Sequence, residues 1–225
     1  MINIIENLLP KDQVNLIAQF LRDQNFKDGK LSAVDVAKSV KNNDEIIAAN
    51  QQEFKSVNTI VMNAITSHPS FRASVMMQKM GAPIFARYKP GMYYGDHLDN
   101  PIMGQPGQYY RTDISMTLFL NEPEEYQGGE LHLNSDVGEQ EYKLPAGSLI
   151  TYPSTLWHRV NEVTEGERLV CVTWAQSMVK DPRQREVLFN LHQANHALVT
   201  TQGDSKTSKQ VNYAYNRLVQ MWSDV

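Results

Sequence analysis

His97 and Asp99 are separated by one residue, and His158 lies 59 positions beyond Asp99. In an extended segment, residues i and i+2 point to the same side, so His97 and Asp99 can reach one point. Two imidazoles and one carboxylate form the facial triad of non-haem Fe(II) oxygenases, which leaves three metal positions open. The three residues are therefore candidate metal ligands and candidate catalytic residues.

Arg168 follows His158 by ten residues, across a segment, 164–167, that predicts a hairpin turn. On such a hairpin Arg168 would lie on the strand next to His158, about four residues or about 13 Å along it. Arg168 shares its strand face with the apolar residues Val170, Val172 and Trp174. An arginine on an inward apolar face requires an anionic partner, and its planar fork suits a carboxylate. A five-carbon dicarboxylate that chelates the metal would fill the gap.

Other interpretations of these residues stay open at this point. His97 and Asp99 could form a loop ion pair, because a single His-x-Asp occurs often by chance. The same ligands could hold zinc in a hydrolase, which predicts no role for Arg168. The chain could also be a non-catalytic jelly roll that binds a metal or a small ligand. His192 and His196 are four residues apart, but Gln193 stands where a metalloprotease needs glutamate, so we interpret them as helix-packing or solvated residues.

The composition narrows the class of protein. The chain has 225 residues, which is about one domain, and a formal net charge of −4 argues against sequence-independent binding to nucleic acid. One cysteine, Cys171, excludes an intrachain disulfide framework. The first ten residues do not resemble a signal peptide, and no run of 18 apolar residues predicts a membrane span. The cytoplasm is the expected location.

The period of the apolar residues changes twice along the chain. Residues 1–78 read as an N-terminal helical support region, 79–178 as a β-rich core, and 179–225 as a C-terminal helical extension packed on the core. In the core, alternation over 114–120, 131–133 and 169–174 predicts strands, and Gly/Pro turn signals separate them. The pattern predicts an α+β fold, a jelly roll flanked by helices.

The helices can be placed in part. Pro10 would open the first helix, with its apolar face made by Val14, Ile17, Ala18 and Leu21. A second helix is predicted over 44–66, with Asn42 and Glu45 as a capping box. Asp181 and Pro182 would begin a third, and Gly203 would separate it from a last amphipathic helix ending near Trp222.

These motifs together resemble a known family. The chain is similar to the bacterial PKHD-type hydroxylases, relatives of the prolyl 4-hydroxylases among the Fe(II)/2-oxoglutarate dioxygenases. The resemblance covers nearly the whole chain, and the runs that carry it are 40–43, 86–100, 111–115, 128–131, 144–160 and 181–186. It implies a double-stranded β-helix core, the jelly roll of this superfamily.

The resemblance also implies roles for individual residues. His97, Asp99 and His158 match the iron ligands, and Arg168 matches the residue that binds the distal carboxylate of 2-oxoglutarate. Tyr88 matches a tyrosine that often hydrogen-bonds the same co-substrate. Some eukaryotic relatives have a second co-substrate tyrosine where this chain has Phe119, which carries no hydroxyl. Thr117, on the same strand face, could replace it.

The implied reaction is hydroxylation. 2-Oxoglutarate is oxidatively decarboxylated to succinate and CO2, dioxygen is consumed, and L-ascorbate rescues oxidised iron. The implied cofactor is Fe(2+), and the small-molecule partners are 2-oxoglutarate and dioxygen. The prime substrate is not identified, whether prolyl or lysyl or related to iron supply. No nucleic acid or membrane partner is expected, and a homo-oligomer through the last helix is possible.

Overall fold

The computed structural model describes residues 1–33, 35–47, 52–135 and 137–225. The helices of these residues are α1 (Lys11–Arg22), α2 (Asp35–Ser39), α3 (Gln52–Ser67), α4 (Pro69–Val75), α5 (Pro182–Gln202) and α6 (Lys206–Trp222). The strands of the N-terminal third are β1 (Asn3–Ile5), β2 (Lys27–Asp28), β3 (Lys41–Asn42), β4 (Asp44–Ile47), β5 (Met77–Met80) and β6 (Ile84–Tyr88). The remaining strands are β7 (Tyr93–His97), β8 (Ile102–Met103), β9 (Tyr110–Arg111), β10 (Ile114–Phe119), β11 (Tyr126–Gly128), β12 (Leu131–Ser135), β13 (Gly138–Tyr142), β14 (Leu149–Pro153), β15 (Trp157–Val160), β16 (Val163–Gly166) and β17 (Arg168–Ser177).

Two antiparallel sheets face each other. The major sheet has the strand order β1-β14-β10-β17-β6-β4-β2, and β5 pairs with the end of β17. The minor sheet has the order β13-β12-β15-β7-β3. Neighbours in the major sheet are often distant in sequence, as when β10 lies between β14 and β17, which is the pattern of a jelly roll. The predicted double-stranded β-helix core is therefore confirmed.

The major sheet is covered on both faces. All six residues of β10 are buried. Met116 and Leu118 belong to the core cluster that the helices form with the outer face, together with Ile17 of α1 and Val61 of α3. Phe119, on the opposite face of β10, packs into the cluster between the two sheets. Because the helices protect the outer face from water, the inner face can carry polar residues of the site.

The N-terminal region agrees with the sequence in one helix and departs from it in another. Pro10 precedes α1, and the four predicted core residues of α1 are buried. The predicted helix over 44–66 is wrong in its first part, because Asp44–Ile47 is the strand β4 and the described helix begins at Gln52. The proposed capping box of Asn42 and Glu45 is wrong for the same reason. Residues 48–51 lie outside the described residues.

Residues 44–47 form a strand because of tertiary contacts with β6. Backbone pairing with β6 places Glu45 opposite Ala86 and Ile46 opposite Phe85. An ion pair between Asp44 and Arg87, 2.7 Å apart, joins the same two strands. Apolar residues at 46 and 47 satisfy a helix pattern and a strand pattern equally well, so only the partner strand decides. The N-terminal region is thus not wholly helical, since it adds strands to both sheets.

The path from His158 to Arg168 also differs from the prediction. Three of the four residues of the predicted turn, Thr164 to Gly166, belong to β16, which pairs with β11 and not with β15. The chain then crosses to the major sheet, where β17 lies between β10 and β6. Arg168 is therefore not on the strand next to His158. The two residues lie on facing sheets, so they approach each other across the interior.

The C-terminal helices follow the prediction. Asp181 accepts a hydrogen bond from the Arg183 backbone N–H at the start of α5, and Gly203 ends that helix. Leu218 and Trp222 of α6 pack against a small cluster around Leu188. Among the described residues, none of the helices is both long and apolar enough to cross a bilayer.

A substitution of Phe54 on α3 tests how much the packing of the helices on the major sheet contributes to stability. The Phe54 side chain is 1% exposed, and its ring centroid lies 5.8 Å from that of Phe85 on β6. We expect Phe54→Ala to lower the free energy of unfolding by about 3–5 kcal/mol, because it removes a buried ring and leaves a cavity. Chemical denaturation followed by circular dichroism measures the change. The control is Leu16→Ala on α1, which is 51% exposed and should cost less than about 0.5 kcal/mol. Equal losses would show that α3 does not form the core described here.

Candidate active site

The minor sheet brings together the three predicted metal ligands. His97 ends β7 and stands directly opposite His158 of β15, and Asp99 follows two residues after His97. One ligand atom from each of the three residues lies within 4.8 Å of the others. The Nε2 atom of His158 is 3.6 Å from Oδ2 of Asp99. Two imidazoles and a carboxylate at this spacing can hold a divalent ion.

Backbone carbonyls orient both imidazoles. Nδ1 of His97 lies 2.8 Å from the Gly95 carbonyl oxygen, and Nδ1 of His158 lies 2.9 Å from that of Leu156. A carbonyl oxygen only accepts, so each Nδ1 carries the proton and each Nε2 keeps its lone pair. A second-shell acceptor on Nδ1 is the usual arrangement for histidines that bind metal through Nε2.

The charge state of His97 also suits metal binding. Burial, reinforced by the neighbouring His158, lowers the pKa of His97 to about 4. His97 is therefore neutral near pH 7, which is the form that binds a metal ion. The ring of Tyr94 stacks on the His97 imidazole with centroids 3.5 Å apart, which fixes the plane of the imidazole.

One serine hydrogen-bonds the carboxylate of Asp99 and a second serine contacts the first, and the sequence did not point to either. The Ser115 hydroxyl, on β10 of the major sheet, donates to Oδ2 of Asp99 at 2.5 Å. It also lies 2.7 Å from the hydroxyl of Ser154, just beyond β14. The alternation of β10 could have placed Ser115 on the inner face. Its partners, however, are 16 and 39 residues away and are defined only by the fold.

Arg168 lies at the other end of the interior. It is 1% exposed and stands opposite Tyr88 of β6. Its guanidinium carbon is 5.0 Å from the centroid of the Tyr88 ring and 5.5 Å from that of Phe119. Its Nε is buried without a hydrogen-bond acceptor among the described residues. A cation surrounded by aromatic rings and short of acceptors fits an anionic ligand.

A tight turn makes room for Arg168. Gly129 has a φ of +69°, and a Cβ there would lie 3.0 Å from Cδ of Arg168. Gly128 before it also has a positive φ. The Gly-Gly pair therefore serves the turn and lets β11 and β12 pass close to the arginine.

A single cavity of about 320 Å³ connects the two ends. Its lining includes all of the predicted site residues, namely Tyr88, His97, Asp99, His158 and Arg168, and also Thr117. Burial raises the pKa of Tyr88 to about 12, so its hydroxyl stays protonated and can donate. Burial likewise raises the pKa of Tyr152, whose hydroxyl is hydrogen-bonded with Thr117. This volume can hold a dicarboxylate with part of a second molecule beside it.

The other histidines do not belong to this cavity. The ring of His192 lies 5.8 Å from that of Tyr215 between α5 and α6, which agrees with a packing role. His132 of β12 contacts Arg159 and Asn161 in a polar network of its own. None of the three histidines His132, His192 and His196 lines the cavity.

Comparisons with known proteins agree with this geometry. The family model of the 2OG-Fe(II) oxygenase superfamily matches residues 83–176 of this chain, which include the five predicted site residues. A prolyl-4-hydroxylase from Pseudomonas putida has a similar structure, with a TM-score of 0.58 at 21% identity over 78% of this chain and 92% of that one. A prolyl hydroxylase from Trichoplax adhaerens, in complex with a hypoxia-inducible-factor peptide, gives a TM-score of 0.57 at 18% identity, covering 83% and 86%. At these identities the two structures confirm the fold.

Relatives at higher identity define the family. The PKHD-type hydroxylase of Thioalkalivibrio sulfidiphilus is 42% identical over 225 residues and matches 100% of both chains. That of Thermosynechococcus vestitus is 39% identical over 221 residues, or 98% of each. The chain belongs to the PKHD-type hydroxylases, within the 2OG-Fe(II) oxygenases. It is a 2-oxoglutarate-dependent dioxygenase that uses Fe(II), which decides against the zinc-hydrolase and non-catalytic alternatives.

The contact of Ser115 with Asp99 leads to a test. We expect Ser115→Ala to weaken Fe(II) binding by roughly 10- to 100-fold, because the carboxylate loses the hydrogen bond that orients it. Anaerobic titration with Fe(II) measures the affinity, and circular dichroism confirms the fold. Ser148→Ala is the matched control, since the Ser148 hydroxyl is also buried but has no hydrogen-bond partner in the described structure. Unchanged affinity in Ser115→Ala would show that Asp99 needs no such support.

Proposed function

We propose that His97, Asp99 and His158 hold the Fe(II) ion of this hydroxylase. The observation that carries this assignment is their convergence in one cavity with Arg168. Both histidines have a protonated Nδ1 bound to the backbone, so Nε2 is available to the ion. The donor set of two nitrogens and one carboxylate suits ferrous iron and leaves room for other ligands. Bound here, iron and 2-oxoglutarate supply the oxidation that turns a C–H bond into C–OH with dioxygen.

We assign to Arg168 the distal carboxylate of 2-oxoglutarate. Its guanidinium is the buried cation of the major sheet. The carboxylate would supply the negative charge that the described protein groups around the guanidinium do not provide. Tyr88 is next to it, and its protonated hydroxyl can donate to the same carboxylate. Thr117 is buried on the inner face of β10, where it could donate in place of the hydroxyl that Phe119 lacks.

The surrounding protein positions these groups and keeps water out. The aromatic rings of Tyr88 and Phe119 hold the Arg168 guanidinium in place. Tyr94 and the Gly95 carbonyl oxygen together fix the His97 ring in both plane and tautomer. A largely apolar wall strengthens charge pairing inside the cavity, because less water competes for it.

We propose that the chain has the three regions expected from its sequence. Residues 79–178 form the oxygenase core, residues 1–78 support it from outside, and residues 179–225 pack on it. The strands that the first region adds to both sheets make that support partly a continuation of the sheets.

Ascorbate as reductant, a homo-oligomer and a cytoplasmic location remain predictions. For the prime substrate, we propose a prolyl- or lysyl-type residue or a molecule of iron supply, as the resemblance to the family implies.

Arg168→Met tests the co-substrate site. We expect 2-oxoglutarate affinity to fall roughly 30- to 700-fold, since losing a buried charge pair costs about 2–4 kcal/mol. Anaerobic titration of the Fe(II)-loaded protein with 2-oxoglutarate measures the affinity, and the visible metal-to-ligand charge-transfer band reports binding. Arg87→Met is the matched control, because Arg87 neighbours Tyr88 on β6 but pairs with Asp44 outside the cavity. Equal 2-oxoglutarate affinity in both variants would refute the assignment.

His158→Ala tests the metal site separately. We expect Fe(II) binding to be lost, because two protein ligands cannot replace three, while the circular dichroism spectrum is retained. His192→Ala, in the helical extension, should bind Fe(II) as the wild type does. Iron binding that survives in His158→Ala would show that the ligand set is a different one.

A further inference from the structure

A buried ion pair in the cavity wall has no part in the function proposed above. Nζ of Lys41 lies 2.6 Å from Oε1 of Glu45, and their side chains are 6% and 4% exposed. Both residues line the cavity that contains the metal triad and Arg168. Charged residues are rarely buried, so a pair in this position calls for a reason.

The fold builds this pair from both sheets. Lys41 belongs to β3, which pairs with β7 of the minor sheet, and Glu45 belongs to β4, which pairs with β6 of the major sheet. Ser32 links them, with its hydroxyl 2.8 Å from Nζ of Lys41 and 2.5 Å from Oε2 of Glu45. The carboxylate of Glu45 is therefore already occupied on both oxygens.

The charges that line the cavity can be assigned one by one. Among the described residues, its carboxylates are those of Glu45 and Asp99, and its permanent cations are Lys41 and Arg168. On the proposed function, Asp99 faces iron and Arg168 faces one carboxylate of 2-oxoglutarate, whose other carboxylate also faces iron. Lys41 and Glu45 neutralise each other. Among the described lining residues, the loaded cavity then offers no free charge to a further molecule.

The cavity also has an apolar lining. Its apolar residues include Ala33, Ala37, Ile84, Ile102, Met103 and Val172. A cationic side chain that entered here would give up its hydration and find no free carboxylate among the lining residues that the structure describes, which is costly. An uncharged group would lose little and would gain contact with the apolar wall.

We infer that the prime substrate presents an uncharged, mainly apolar group to the metal, and that Lys41 determines this specificity by occupying Glu45. The inference rests on the proposed function, because the charge pairing requires iron and 2-oxoglutarate in their assigned places. It selects between the substrate classes left open above. A lysyl ammonium is excluded, and a neutral residue or small molecule is accepted.

The test compares two probes that differ by a charged end. N-Acetyl-L-norleucinamide and N-acetyl-L-lysinamide share the same four-carbon chain, and the second adds an ammonium group. Each is titrated anaerobically into the wild-type protein loaded with Fe(II) and 2-oxoglutarate, followed by calorimetry and by the visible band. We expect the neutral probe to bind at least about tenfold more tightly than the cationic one. Equal binding, tighter binding of the lysine probe, or binding of neither would overturn the inference.

Variants then assign the effect to Lys41. Lys41→Met keeps the length of the side chain and frees Glu45, so we expect it to gain affinity for the lysine probe by at least about tenfold. The double variant Lys41→Met/Glu45→Gln has no charge at either position and should keep the wild-type preference. No gain in Lys41→Met, or the same gain in the double variant, contradicts a role for the pair.

A second variant covers the case in which Lys41→Met does not fold. Glu45→Gln leaves the Lys41 ammonium unpaired, and we expect it to gain affinity for an anionic probe, N-acetyl-L-glutamic acid α-amide. Lack of that gain in a folded Glu45→Gln protein also overturns the inference. The 2-oxoglutarate affinity of the wild type is measured first, because its absence would refute the proposed function and not the specificity of Lys41.

Discussion

The burial of the Arg168 guanidinium is the constraint on which the interior of this protein depends. A cation that is 1% exposed cannot remain without a counter-charge at low cost, and aromatic rings surround much of it. The glycine turn at Gly129 and the crossing of β17 to the major sheet both serve its position. A buried cation that requires a negatively charged partner is thus built into the fold.

The two sheets divide the work of the site between them. The minor sheet carries the histidines, whose paired strands set their separation, and the major sheet carries Arg168 and Tyr88. Contacts between the sheets then fix the distance from one end of the cavity to the other. Ser115 reaches Asp99 from the major sheet, and the Lys41–Glu45 pair joins the sheets at β3 and β4. Polar contacts across the interior therefore place the His97, Asp99 and His158 cluster relative to Arg168.

Local patterns predicted much of this structure, and long-range partners account for what they missed. Strand alternation in β10, β12 and β17 and the one-residue spacing of His97 and Asp99 are local properties that survive in the fold. The helix expected at Asp44 failed because an apolar pair at 46 and 47 suits either structure until β6 supplies a partner. Arg168 was correctly paired with the metal motif but placed on the wrong strand, since sequence distance does not reveal a crossing between sheets. Ser115 and its partners were invisible for the same reason.

The site also links ligand binding to the stability of the fold. On the proposed function, Arg168 and Asp99, which line one cavity, each face a group of opposite charge when co-substrate and iron are bound. A ligand that binds the folded state alone stabilises it by RT ln(1 + [L]/Kd), about 2.7 kcal/mol at a hundredfold excess over Kd. Such a gain is a large share of the net stability of a domain of this size. On the proposed function, occupancy of the site and folding stability therefore rise together. The Lys41–Glu45 pair is the exception, because it is neutral within itself and demands no ligand charge. That independence is why it can act on the choice of substrate and not on the binding of the co-substrate.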